Sequence, residues 1–125
     1  MMKYLKTLIF ICITHIAFAQ YPDTTIETPE IRAKAEKLTA IYDAKLGLDG
    51  TQLPIFQNKV ADYLTLSKEI KESYKGKEAL DKLTQLMVKE SLEMKDLLTR
   101  IQYNQYKKIR QSVQPLEVVV NTDEK

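Results

Sequence analysis

Chemistry needs nucleophiles, proton carriers or metal ligands at useful spacings, and this chain is poor in all three. Its only Cys, Cys12, and its only His, His15, both fall within the first twenty residues. If that stretch is removed, no Ser-His-Asp or Cys-His nucleophile can be assembled within one chain. Zinc, copper or nickel sites built on thiolate or imidazole go with it. Met87 and Met94 have the thioether chemistry of a Cu(I) site, but seven residues apart on an apolar stripe they read as core. Asp and Glu recur along every segment, as a chain with 29 % charged residues requires of its solvated faces. No pair stands out as a general acid and base, and no Gly-rich phosphate loop is present. We therefore expect no enzyme, no cofactor and no metal. The Tyr residues at 42, 63, 74, 103 and 106 are the remaining candidates for a binding surface, with packing as the default for most of them.

The first nineteen residues read as a secretory signal peptide. Lys3 and Lys6 precede an apolar run from Leu8 to Phe18, and Ala17-Phe18-Ala19 offers a small-x-small cleavage site. The run is shorter than the roughly 20 residues that span a bilayer. Cleavage leaves 106 of the 125 residues, starting at Gln20. It also removes two lysines and no acid, so 17 basic groups face 17 acidic ones. The exported chain is neutral, and a general affinity for nucleic acid or anionic membrane is not expected. No stable membrane insertion is expected after cleavage, and export needs no disulfide.

The elements that must position any site are helices. Trp is absent and only three Gly occur in the chain, and its length suits one domain. Residues 20–28 have no apolar period and read as a flexible leader. Thr28-Pro29-Glu30 then opens a helix, with Thr as cap and Pro at the first helical position. Ile31, Ala35, Leu38, Tyr42 and Leu46 form its apolar face, and Gly47 ends it. In Leu48-Asp49-Gly50-Thr51-Gln52-Leu53, Asp49 caps and Gln52 returns the bond, a capping box with Asp in place of Ser or Thr; Leu48 and Leu53 are placed as a hydrophobic staple. Pro54 falls one step past the positions where a missing N–H is free, which predicts a distorted first turn. Leu53, Phe56, Val60, Tyr63, Ser67, Ile70 and Tyr74 continue the stripe to about Lys75. A turn at Gly76, favoured over one long helix running through it, folds a third helix back, carrying Leu80, Leu83, Met87, Met94 and Leu98. Leu98-Thr99-Arg100-Ile101-Gln102-Tyr103 repeats the layout of residues 48–53 and starts a fourth helix through Tyr103, Tyr106, Ile109 and Val113, stopped at Gln114-Pro115. Residues 115–125 form a tail, strand-like and then polar, that either docks across the helices or stays mobile; an exposed Val118–Val120 is an aggregation risk, which favours docking.

Two Leu-[Thr/Asp]-x-x-Gln motifs about fifty residues apart, in a small exported helical chain, resemble the Spy/CpxP family, also called the LTxxQ family. Leu98-Thr99-Arg100-Ile101-Gln102 fits the pattern fully; Leu48-Asp49-Gly50-Thr51-Gln52 has Asp for Thr. The resemblance covers roughly residues 29–113. It implies an all-α, four-helix chain with a long bent hairpin and an antiparallel, cradle-like homodimer in the periplasm. It also implies an ATP-independent chaperone that binds unfolded envelope proteins under stress, or a stress sensor that binds a membrane signalling protein. The motif residues would be Leu48, Asp49, Gln52, Leu98, Thr99 and Gln102. Phe56, Tyr63, Tyr74, Met87, Met94, Tyr103 and Tyr106 would supply the client or dimer surface. Independently of the resemblance, two long and two shorter helices make a thin layer that a second copy would cover. Two departures stand out: the exported chain is neutral where the resemblance implies a basic concave face, and it lacks the His of metal-sensing relatives. A passive structural or ligand-carrying helical protein is the third reading.

Overall fold

The computed structural model describes residues 27–116. The signal-peptide reading, residues 20–26 of the leader and Val118–Val120 of the tail lie outside the described residues. What remains is four helices: α1 (Pro29–Leu46), α2 (Gln52–Ser73), α3 (Gly76–Leu97) and α4 (Arg100–Val113). The all-α expectation holds.

Local chemistry sets each boundary. Thr28 is extended, and its hydroxyl accepts from the Ile31 N–H at 3.2 Å. Gly47 closes α1 in the left-handed region at φ 62°, where a side chain would be strained. Its N–H donates to the Asp43 carbonyl at 2.9 Å. In α2 the bond from Leu53 N–H to the Asp49 carbonyl forms at 3.0 Å. Pro54 has no N–H to give Gly50, so the regular helix starts only at Gln52. The predicted distortion is thus confined to Gly50-Thr51. Gly76, at φ 58°, turns the chain after the extended pair Tyr74-Lys75. α3 then packs back along α2.

Each helix packs on its two neighbours in the cycle α1–α2–α3–α4–α1, and the diagonal pairs meet only through side chains. Buried residues from all four helices meet in one shared core. Its centre is a triangle of rings from three helices. Tyr42 meets Phe56 edge-on at 5.1 Å, Tyr106 stands 5.4 Å from Tyr42, and Phe56 and Tyr106 are perpendicular at 6.1 Å. Met94 of α3 and Val60 complete it, both fully buried. Burying one such side chain contributes roughly 1.5–3 kcal/mol. Phe56, Tyr63, Met94 and Tyr106, expected at a client or dimer surface, are therefore core residues of the single chain. The buried line of α3 runs through Ala79, Leu83, Glu90 and Met94, while Leu80 is exposed.

Two charges lie inside this core. Glu90 is 3 % and Arg110 5 % exposed. Arg110 Nε and Nη2 donate to Glu90 Oε1 at 3.2 and 3.0 Å, and the Tyr106 hydroxyl donates to the same oxygen at 3.0 Å. The guanidinium also lies 5.2 Å from the centre of the Tyr63 ring. Burial pushes the Glu90 carboxyl above its usual range, against the pull of Arg110 beside it. Burial likewise raises the Tyr42 and Tyr106 hydroxyls, which stay protonated and donate. The Tyr42 hydroxyl does so to Gln114 Oε1 at 2.7 Å, holding the residue after α4 against α1.

A buried ion pair is costly to break and cheap to replace. Arg110→Met alone should cost about 3–5 kcal/mol by leaving a buried charge unpaired. Glu90→Leu with Arg110→Met should recover most of that loss. Urea unfolding of the two single variants and the double checks it; additive losses would show that the two side chains act independently.

Candidate functional site

The site sits at one pole of the bundle, where α1 and α3 end and α2 and α4 begin. The reciprocal bonds of both sequence-predicted boxes form, as a capping box at the start of α4 and, for the first, around the turn that precedes α2, whose cap position is Thr51. At the first, the Gln52 N–H donates to Asp49 Oδ1 at 2.7 Å and the Asp49 N–H donates to Gln52 Oε1 at 3.0 Å. At the second, the Gln102 N–H donates to Thr99 Oγ1 at 3.3 Å and the Thr99 N–H to Gln102 Oε1 at 3.0 Å. Asp49 gathers two further donors from Thr51, its N–H at 2.9 Å and its hydroxyl at 2.7 Å.

The two boxes then close on each other. Gln52 Nε2 donates to Gln102 Oε1 at 2.8 Å, and Gln102 Nε2 donates back to Gln52 Oε1 at 3.0 Å. Each amide nitrogen also reaches a carbonyl at the end of a foreign helix. Gln52 Nε2 donates to Leu97 O at 3.2 Å, and Gln102 Nε2 to Gly47 O at 3.2 Å, with Leu46 O farther off at 3.5 Å. Both donors and both acceptor sites of each Gln are thereby used. The carbonyls belong to the helix ends that have no partner inside their own helix. Glu at either position would keep the acceptor for the cap but lose both donors.

Leu48 and Leu98, the leucines that open the two motifs, turn inward. Leu98 is buried and Leu48 half-buried against the core. Tyr103, the second half of the Leu98 staple, packs partly on the same cluster. The first staple is weaker, because Leu53 stays 36 % exposed. Tyr74, Met87 and Tyr103 are the only proposed surface residues that keep partial exposure. Lys82 Nζ sits 4.4 Å over the Tyr74 ring and Lys107 Nζ 4.9 Å over Tyr103. Met94 is in the core and Met87 at its edge, which separates them in environment.

Sequence reasoning found each box but missed their joining across fifty residues. It also missed Glu90 and Arg110. The one available signal was register: Glu90 falls seven after Leu83 and four before Met94, and Arg110 four after Tyr106, on buried helical lines. Among the described residues no cluster of three or more acids could hold a metal ion, and no helix is long and apolar enough to cross a membrane. The arrangement is a structural clamp that ties the ends of α1 and α3 to the starts of α2 and α4.

Gln52→Ala and Gln102→Ala should each cost about 2 kcal/mol, since each removes several hydrogen bonds worth roughly 0.5–1.5 kcal/mol apiece. The double variant should cost about 1 kcal/mol less than their sum, because the mutual bonds are lost once. A double-mutant cycle in urea reads this directly.

The bonds from the Thr51 hydroxyl and from the Gln52 and Thr51 N–H groups hold the Asp49 carboxyl below its usual range. A folded value depressed below the unfolded one adds stability above the unfolded value, and that stability is lost as pH falls through the folded one. Thermal midpoints should therefore fall on acidification through and below the ordinary carboxylate range. Asp49→Ser, which keeps a capping oxygen without the charge, should flatten that part of the profile. An unchanged slope would place the acid sensitivity elsewhere.

No protein family, curated protein or solved structure matches the chain.

Proposed function

We propose that the chain is an exported, periplasmic, ATP-independent chaperone-like protein of the Spy/CpxP kind, which binds unfolded envelope proteins through weak apolar contacts. The observation that carries this reading is the outer face of α3. Val88 and Leu92 lie roughly opposite the buried line through Ala79, Leu83, Glu90 and Met94, and are 51 % and 57 % exposed, with Leu80 on the flank between. A helix that has filled its core-facing side and still presents large apolar residues outward has surface to spend on a partner. Long polar and charged side chains alternate with them, among them Lys95 and Asp96, which suits weak and reversible capture. The paired boxes support the family part of the reading, since both five-residue motifs act in one clamp.

The test is suppression of aggregation. Residues 20–125 should slow aggregation of several chemically denatured clients without ATP. Val88→Ser with Leu92→Ser should weaken that effect several-fold with little change in thermal midpoint, because neither side chain is in the core. No suppression at several-fold excess over any client would overturn the reading. Weight would then pass to a regulator with one saturable membrane partner.

A further inference from the structure

Away from the motif pole, a partly open cavity of about 120 Å³ lies among α1, α2, α3 and the close of α4. α1 and α2 are joined by a short turn and run antiparallel, so the lining they supply follows one order. On α1, Lys34 stands one turn farther from the pole than Leu38; on α2, Ser67 and then Lys71 stand one and two turns beyond Leu64. Along both helices the lining thus grades from leucine to ammonium. Leu83 of α3 and Val113 of α4 add apolar wall, yet polar groups make up more of the whole lining than apolar ones. No described acid lines the cavity, and neither lysine has an ion pair among the described residues. Gln114 lines it as well. Its Oε1 accepts from the Tyr42 hydroxyl, and its buried Nε2 has no hydrogen-bond partner among the described residues.

We propose that this cavity binds a small monocarboxylate with a short aliphatic chain. The ligand class follows from the lining. Small-molecule sites combine apolar wall with a few polar groups that fix orientation, and here every charged one is a cation. The Ser67 hydroxyl and the Gln114 amide are donors for the carboxylate oxygens, and Lys34 and Lys71 supply the opposite charge at the outer end. Leu38, Leu64, Leu83 and Val113 cover the chain. A buried donor without an acceptor is uncommon in folded proteins, and a carboxylate oxygen is the acceptor that the Gln114 amide lacks. An inorganic anion would leave the leucines uncovered, and a cationic ligand would meet two like charges and no acid. A cavity of roughly 150 Å³ takes a benzene ring, so this smaller one takes a chain of about four carbons with its head at the open side. The inference stands on the cavity and does not rest on the chaperone reading.

Titration of residues 20–125 with sodium pentanoate, followed by methyl and side-chain amide resonances against sodium chloride at equal ionic strength, tests this. Saturable shifts are expected at the methyls of Leu38, Leu64, Leu83 and Val113 and at the Gln114 amide. Acetate, which lacks the chain, and pentanol, which lacks the charge, should each bind at least about tenfold more weakly. Lys34→Met with Lys71→Met, two exposed changes that keep an unbranched stem, should weaken pentanoate about tenfold and leave pentanol unchanged. Absence of saturable shifts at these groups overturns the proposal. Pentanol binding as tightly as pentanoate overturns it in favour of a plain apolar pocket. Acetate equal to pentanoate, or pentanoate binding unmoved by the lysine changes, overturns it as well. Decanoate binding far more tightly than pentanoate would assign the site to a long acyl chain instead.

Discussion

The reciprocal bond pair between Gln52 and Gln102 is the constraint on which the arrangement of helices depends. Helices of 18, 22, 22 and 14 residues with amphipathic faces can pack in several ways. Apolar contact alone is non-directional and chooses poorly among them. Two amides that satisfy each other, their own caps and two foreign helix ends permit only one relative placement of the pole. The aromatic triangle then follows, because Tyr42, Phe56 and Tyr106 all lie within one or two turns of the clamp. Directional bonds set the register, and burial of these rings supplies the energy that holds it.

The core also tolerates an ion pair, and its position explains why. Where α3 meets α4, a Tyr hydroxyl and a Tyr ring surround Glu90 and Arg110. Three donors converge on one carboxylate oxygen, while Glu90 Oε2 is buried without a partner. Such a pair adds little net stability over apolar residues, but it penalises any placement of α4 that separates the charges. Clamp and ion pair thus act in the same sense at two levels of the bundle.

What was legible in the sequence was local. Thr28-Pro29, Gly47, the two boxes and the turn at Gly76 each act within a few residues of chain, so residue type and spacing suffice. The helical period also located Phe56, Tyr63, Met94 and Tyr106 on apolar faces, but a period says only that a face is apolar. It does not say whether another helix of the same chain already covers it, and here one does. Glu90 and Arg110 escaped for the converse reason: a charge on a helix is ordinarily solvated, and only its partner 20 residues away makes it a core residue. The joining of Gln52 to Gln102 was hidden because each Gln already had a sufficient local explanation.

The clamp is self-complementary: the first half gives to the second what the second gives to the first, as across a two-fold interface between identical subunits. Helix, box and helix make up each half, and the joint between them at Tyr74-Lys75-Gly76 lies at the far end from the bonds that unite them. Those bonds are indifferent to which molecule supplies each half. Gly76, which costs only about 1 kcal/mol more than Ala inside a helix, is where α2 and α3 would merge into one rod if its left-handed turn were undone. Two chains straightened there could trade halves and keep every hydrogen bond of the pole. An exchanged pair would differ from the closed chain in the conformation of that single joint.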